Sequence, residues 1–573
     1  MPPYLTRRLL YAIGLMIYLL VFFKNAWVGD DAFILFRSLD QLLDGHGPRW
    51  NPHERVQVFT CPLWYWLLAA MGSVYRNHYL NSILLSAFCN GLLLWNLHKI
   101  FANSRIWLLA ILMLVFSQAY FDFTSSGLEN PLAYCLIGFI ARFSLNREQI
   151  PEDKALLLTA IACGLLLVTR HDLLLFVLPL LAHRFWPRQQ QNLALPLMAL
   201  LLPLACWTLF SLIYYGFPFP NTAYAKLGNT VPHALLLQRG ITYFTTSILR
   251  DFISVAVLPV GVLAGLFMPL QNKTLRLLAL GIALHLFYVL WIGGDFMRGR
   301  FFGWDYLLCV IVLLYPLADV TYNGWFNRTN ITTAFAATAA AISLMLWEPP
   351  VVTPLHWGAE PFKMGDSADG VTQERHFFYW FTAFWKSLPS ATPLLRNHGW
   401  CQDGLEQRRQ NIPVAASRTV GMHGFCLGTD KVLVDMLGIT DPLLARMPHN
   451  PSQKNWRPGH FLRLLPAGYC ASIRYGDNRI TDQAIAAYYD KIRMLTQSTP
   501  LLSPERLAAI WQMNTGAYRQ EIAAIQTSMT QQYVQGDGAA AQTAAQQDCP
   551  FIELPPELIK QLRNGSVQES FKQ

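Results

Sequence analysis

Charge is what this chain has least of. Only 14% of its 573 residues are Asp, Glu, Lys or Arg, against about 25% in soluble globular domains, while 53% are hydrophobic. That balance excludes an ordinary water-soluble fold for most of the length. No small-x-small cleavage site follows the apolar run 9–23 behind Arg7 and Arg8, so the start reads as a first membrane helix and not as a cleaved leader. No CxxC or HExxH spacing occurs, which removes the usual support for a zinc site. No internal repeat is visible, whereas transporters commonly carry paired repeats with sites at mid-membrane. The formal charge of +9 is not a nucleic-acid signal, because many of the basic residues lie in short loops between apolar runs, where they fix topology.

What is present divides near Pro350. Before it, apolar runs alternate with short polar loops. After it the runs disappear and Gln, Ala, Thr, Asp and Arg take over. This predicts a mainly α, polytopic transmembrane domain over 1–349 and a water-facing α/β domain over 350–573. A crossing needs about 20 mostly apolar residues. Candidates are 9–27, 79–97, 105–121, 130–146, 155–170, 172–186, 193–214, 252–270, 275–292, 303–320 and 331–348, about eleven by this length rule. The run 61–75 is shorter and reads as a juxtamembrane helix. In the C-terminal part KVLVDMLGI reads as a strand, QAIAAYYDKIRML and PERLAAIWQM have helical spacing, and Ser503 can cap a helix that opens on Pro504.

With the N-terminus inside, the inner loops hold Lys99 and Arg105, then Arg142, Arg147 and Lys154, then Arg184 and Arg188, Lys273 and Arg276, and Arg328, as the positive-inside rule expects. An odd number of crossings puts the C-terminal domain outside. Six cysteines (Cys61, Cys89, Cys135, Cys163, Cys206 and Cys309) lie in or beside apolar runs and read as buried small hydrophobes. Cys401, Cys426, Cys470 and Cys549 lie in the soluble part and permit two disulfides in an oxidising compartment.

The outer loops carry the unusual residues. Asp30 and Asp31 stand where the first helix leaves the membrane, in an outer loop of about 30 residues, and loops that long are usually functional. Adjacent carboxylates there suit a general base on a sugar hydroxyl, a metal ligand, or the cap of the next helix. The segment 293–302, GGDFMRGRFF, sets Arg298 and Arg300 beside glycines. Guanidinium forks with close backbone approach suit a phosphate, and the alternative is an anchor reaching to headgroups. Asp295 can hold those arginines or take part in the chemistry. Arg170, His171 and Asp172 are squeezed between two apolar runs, where ionisable residues are costly and functional by default, although His171 alone reads equally as a surface turn. The segment YYGFPFPNTAYAK ends in Lys226, and its aromatics suit either a sugar face or an interface belt. Together these features suit a substrate whose phosphate lies at the outer headgroups, such as a polyprenyl-phosphate sugar.

The segments GDDAFILFRSLDQLLDGHGPRWNPHERVQVFTCPLW (29–64), SSGLENPL (125–132), TRHDLLL (169–175), YYGFPFPNTAYAK (214–226), GGDFMRGRFF (293–302), QERHFFYW (373–380) and VDMLGITDPLLAR (434–446) carry a resemblance. They resemble the GT-C superfamily of membrane glycosyltransferases, and within it the AftB-type arabinofuranosyltransferases. The resemblance implies a polytopic helical domain with a periplasmic C-terminal domain in a bacterial inner membrane. It implies a decaprenyl- or undecaprenyl-phosphoryl arabinofuranose donor, an envelope glycan or pilin-like protein acceptor, no nucleotide sugar and no nucleic acid. It implies a catalytic base at Asp30 or Asp31 and donor-phosphate contacts at Arg298, Arg300 and Lys226, and Asp295, Arg170, His171 and Asp172 are further candidates for binding the donor phosphate or sugar. Glu129, Asp435 and Asp441 are acceptor-side candidates, the last two reading equally as a strand and turn in a domain core. No cofactor is implied with certainty, and a divalent cation stays open. TRHD departs from the TRPD commoner in the family, which leaves a donor or acceptor contact open. Competing readings are a GT-C transferase of mannose or aminoarabinose, a lipid-linked sugar flippase, an O-antigen-type polymerase, and a non-enzymatic partner in envelope assembly.

Overall fold

The computed structural model describes residues 3–145, 148–186, 193–227, 231–267, 272–318, 369–387, 394–450, 453, 456–537 and 549–550. The expected span 331–348, the division at 349/350, Arg147, Arg188 and Arg328, and nearly all of the Ala- and Gln-rich stretch 536–548 lie outside them.

The described chain is mainly helical. Four helices are long and apolar enough to cross a bilayer, Tyr4–Asn25, His78–Phe101, Ala194–Tyr215 and Lys273–Trp291, which makes this a multi-pass membrane protein. Ser104–Phe116, Asn130–Leu145 and Phe302–Ala318 are as apolar but run to 13, 16 and 17 residues, short of a full crossing at 1.5 Å per residue. The helices His233–Arg250 and Phe252–Phe267 meet at Asp251 with a bend of 114°. Sequence reasoning expected only the second of that pair, because Gln238, Arg239 and the threonines of the first break its apolar run. The juxtamembrane run 61–75 is the helix Pro62–Val74, with Pro62 in its first turn. The weakly separated runs 155–170 and 172–186 are Glu152–Thr169 and Leu174–Arg184, joined by one 3-10 turn.

The chain groups into two compact units, and each is assembled from three stretches of sequence: Met1–Gly29, Tyr79–Ala205 and His233–Leu388 form one, and Asp30–His78, Cys206–Pro232 and Pro389–Gln573 the other. The first outer loop and the aromatic segment 214–226 therefore group with the C-terminal residues, a partition that composition along the chain does not express.

In the first unit the loops sort to two ends of a helical bundle. Arg7 donates to the carbonyl of Ala102 at 3.0 Å. Glu148 takes both Lys99 at 3.2 Å and Arg142 at 2.7 Å, Arg184 meets Glu152 at 3.1 Å, and Thr274 donates to the Ser144 carbonyl. The loops expected on the inner side thus touch one another. The loops around Ser126, Arg170 and Arg300 meet in the same way through contacts described below. Helices approach closely at small residues. A Cβ on Gly281 would lie 2.2 Å from the Phe176 carbonyl oxygen, and one on Gly164 would lie 2.5 Å from that of Ala199, which is how backbones come together where lipid gives no hydrophobic drive between helices.

The second unit is mixed α/β. Strands β1 (Val414–Ser417) and β2 (Val432–Asp435) pair in parallel, Val414 opposite Val432, with the helix Gly421–Leu427 between them. Strand β2 is the segment expected from KVLVDMLGI. Gln483–Thr496 and Pro504–Thr515 are the expected amphipathic helices, and Ser503 caps the second by accepting from the Arg506 amide. Met436, Leu443, Tyr469, Tyr488, Ile492 and Leu495 are part of the core. Both candidate disulfides are present, Cys401–Cys426 and Cys470–Cys549, and the other six cysteines are free.

Peptide mapping without reduction is expected to recover both disulfide pairs. Replacing Cys470 and Cys549 by serine should cost about 2–5 kcal/mol, read as a lower unfolding midpoint of the purified protein. Recovery of four free thiols there instead would count against an oxidising compartment.

Candidate active site

Glu129 occupies the position just before the helix Asn130–Leu145. One of its oxygens, Oε1, accepts from Arg170 at 2.8 Å and from Arg300 at 3.1 Å. Arg170 enters from the end of Glu152–Thr169, and its other edge is held in two bonds by Asp172, at 2.9 and 2.7 Å. Three of its five N–H groups are therefore taken by carboxylates. Its flat face lies over Trp304 at 4.9 Å and Phe301 at 5.3 Å. Asp295 lies 3.9 Å from Arg300 and accepts from the amide of Phe296. Burial alone would push the Glu129 carboxyl up, but Arg300 and Arg170 together hold it below its ordinary range. His171 sits half-buried in the same 3-10 turn, beside the ion pairs and not within them.

Arg298 does not share this cluster, although only Gly299 separates it from Arg300. Gly299 has a φ of +77°, and a Cβ there would lie 2.8 Å from the Cα of Ala119, so this turn needs glycine. The turn sends the two arginines to different places. Arg298 bonds the Gln373 side chain and takes the Thr372 carbonyl through its amide. It lines a small pocket with Gln118, Asp122, Ser247 and Asp251. Asp122 is itself paired with the buried Arg375 at 2.8 Å, and Arg375 also bonds Asn25. Sequence reasoning named QERHFFYW only as a carrier of resemblance and missed the roles of Asp122, Asp251 and Arg375. Their charge inside apolar surroundings was the signal available.

Asp30 and Asp31 lie in the second unit, at the start of the helix Asp30–Leu43. Asp30 accepts from the Met422 amide at 2.7 Å. A Cβ on Gly421 would lie 2.1 Å from the Asp30 carbonyl oxygen, so the chain comes this close only with glycine. Burial, the largest influence, and the neighbouring Asp31 charge push the Asp30 carboxyl up to about 7, against the pull of the Met422 and Gly421 amides. Such a group changes charge near neutrality, as a general base should.

Lys226 lies in the last turn of the helix Asn221–Leu227 and packs on Gly459 in this second unit. Asp435 is fully buried and closes a turn by accepting from the amides of Leu437 and Thr440, each at 2.8 Å. Asp441 accepts from the Leu444 amide at 2.8 Å and the Tyr469 hydroxyl at 2.9 Å. Each oxygen of the two carboxylates thus accepts a hydrogen bond within the unit. The rings of Phe217 and Tyr224 are covered by Arg446 at 4.2 and 4.4 Å. Among the described residues no group of three or more His, Cys, Asp or Glu is disposed to hold a metal ion.

Glu129→Ala would leave two guanidiniums around a vacated anion position and is expected to cost about 3–5 kcal/mol, measured as unfolding in detergent. Glu129→Gln keeps an accepting oxygen and should cost less. Equal stability of all three proteins would show that the clamp does not organise these loops.

No protein-family model matches the chain. It is 23% identical over 531 residues to a terminal beta-(1->2)-arabinofuranosyltransferase of Mycobacterium tuberculosis, covering 77% of this chain and 82% of that one. It is 27% identical over 418 residues to the protein of the same name from Corynebacterium glutamicum, covering 62% of this chain and 56% of the relative. Two crystal structures of ArnT from Cupriavidus metallidurans, one bound to undecaprenyl phosphate and one in the apo state, align with TM-scores of 0.44 and 0.42. Each is 12% identical and covers 75% of this chain and 86% of its own. Over most of its length, then, this chain is similar to the terminal β-(1→2)-arabinofuranosyltransferases.

Proposed function

We propose that the protein is a membrane glycosyltransferase that moves a sugar, arabinofuranose, from a polyprenyl-phosphate donor to a hydroxyl of an envelope glycan or glycoprotein. The observation that carries this reading is the similarity to a terminal beta-(1->2)-arabinofuranosyltransferase over 77% of the chain. The chemistry of the conspicuous residues agrees with it. The protein sits in the bacterial inner membrane with its N-terminus cytoplasmic and its C-terminal residues periplasmic, and the chemistry takes place on the periplasmic side.

In this mechanism the bond between the anomeric carbon and the phosphate oxygen breaks, and the polyprenyl phosphate leaves with the electron pair. The acceptor oxygen forms the new bond to that carbon and gives its proton to Asp30 or Asp31. Arg170 and Arg300 serve the leaving phosphate. Cations already fixed in place stabilise charge that grows in the transition state without reorganising. Arg170 brings to this task the two N–H groups that its carboxylate bonds leave over. No nucleotide sugar takes part.

The test is transfer from synthetic decaprenyl-phosphoryl arabinofuranose by the purified protein. Asp30→Asn or Asp31→Asn is expected to lower the rate by about 10²-fold or more while donor binding persists. No transfer to any of a broad set of acceptors, and no hydrolysis of the donor, would overturn the reading in favour of a flippase or an assembly partner.

The same assay has a predicted pH dependence. A base works only when ionised, and the Asp30 carboxyl is raised to about 7. The rate at limiting substrate should therefore rise with pH through a midpoint near 7. A limb near the ordinary carboxylate range would point to a base other than Asp30.

A further inference from the structure

His285 and Asp305 form a pair in the first unit that the chemistry above does not use. His285 lies within Lys273–Trp291 and Asp305 in the first turn of Phe302–Ala318, and neither has any exposed surface. The His285 Nδ1 atom lies 3.0 and 3.2 Å from the two carboxylate oxygens of Asp305. On the other side of the ring, the Trp304 indole N–H donates to His285 Nε2 at 3.3 Å. Phe176 stacks on the imidazole at 4.4 Å between centroids.

These contacts determine the protons. An indole nitrogen only donates, so Nε2 must accept and carries no hydrogen. A neutral imidazole then has its hydrogen on Nδ1, where the Asp305 carboxylate accepts it. An imidazolium would set two N–H groups against each other at Nε2. The pair is therefore a neutral histidine oriented by a carboxylate, and its free nitrogen fixes the rotation of the Trp304 ring.

Trp304 is the ring on which the Arg170 guanidinium rests, at 4.9 Å. Its carboxylate partners, Glu129 and Asp172, restrain Arg170 in the plane of the guanidinium. The Trp304 and Phe301 faces restrain it out of that plane. Without the bond to His285 the indole could turn about its side-chain torsions, and the out-of-plane restraint on Arg170 would loosen.

We propose that His285 and Asp305 are positioning residues for Arg170, acting through Trp304, and so set donor affinity from inside the bundle. This rests on the reading of Arg170 as a donor-phosphate contact. Catalysis by prearranged charge depends on how tightly the charged group is held, and an aromatic platform fixed by a buried His–Asp pair helps to hold it.

The test uses the full chain in nanodiscs with two readouts, binding of decaprenyl phosphate and transfer from decaprenyl-phosphoryl arabinofuranose. His285→Phe keeps the stacking on Phe176 and removes both hydrogen bonds, while Trp304→Phe keeps a ring under Arg170 and removes the N–H. Each is expected to weaken decaprenyl phosphate binding, and to raise the donor KM, by about three- to ten-fold, with kcat changed less. The double variant should be no worse than either single one, because both remove the same link. In an Arg170→Lys background, His285→Phe should have no further effect on binding. If His285→Phe does not fold, Asp305→Asn, which keeps an acceptor for Nδ1–H, is compared with Trp304→Phe on the same readouts. Unchanged binding in variants that fold, or effects that add in the double variant, would overturn the positioning role and leave the donor reading intact. Absence of decaprenyl phosphate binding by the native chain would overturn the donor reading, and the positioning role with it.

Discussion

A guanidinium placed among apolar helices must be matched by an anion, and at Glu129 one carboxylate oxygen matches two of them. The cost of an unpaired charge in such surroundings is several kcal/mol, so the arrangement is nearly all-or-none. Arg170, from the end of one helix, and Arg300, from the loop before another, can both be buried only if Glu129 stands between them. Asp172 and Asp295 then take up the remaining edges. Three loops distant in sequence are fastened at one end of the bundle by this requirement. At the other end Glu148 does the same for Lys99 and Arg142, at a more exposed and therefore weaker site.

The consequence for chemistry is that the arginines come prearranged and already partly neutralised. Arg170 has carboxylates along two edges and rings beneath it, and those carboxylates take three of its five N–H groups. Arg298, sent elsewhere by the left-handed turn at Gly299, has its own carboxylate neighbours in Asp122 and Asp251. A segment that reads as a single phosphate cradle is in the folded protein two differently furnished positions. Asp30 is held in another way, by the backbone amides of Met422 and Gly421 where glycine lets the chain come close, and its burial beside the Asp31 charge leaves its carboxyl hard to ionise. Glu129 is kept charged by cations, and Asp30 is kept near its titration point by burial and the neighbouring Asp31 charge.

How much of this was legible follows from what each signal measures. Apolar runs measure burial along a helix, and they located most of the helices, the short Pro62–Val74 segment and the turn at Asp172. They missed His233–Arg250, whose polar residues interrupt the run. Cap chemistry is local, and Ser503 before Pro504 was readable for that reason. Asp435 and Asp441 looked equally like a turn and like a site, since a carboxylate that closes a turn and one that meets a ligand have the same letter. The folded chain adds the amides of Leu437, Thr440 and Leu444, from which these two carboxylates accept. Arg375 and Asp122 went unremarked because their partners are more than two hundred residues apart in the chain. His285 looked like one more residue in a membrane run until Asp305 and Trp304 stood against it.

By itself the sequence determined the class of the molecule: a helical, multi-pass membrane chain with a disulfide-bearing mixed domain, and a resemblance pointing to lipid-phosphate sugar transfer. Those properties depend on composition, period and local spacing, which are carried by neighbours in the chain. The tertiary structure alone decided which ions pair, that Arg298 and Arg300 part company, that Lys226 and the first outer loop group with the C-terminal residues, and that a buried histidine holds an indole beneath Arg170. Those depend on side chains brought together from distant positions, where the low dielectric of the interior makes each pairing strong, and no one-dimensional pattern records which partners will meet.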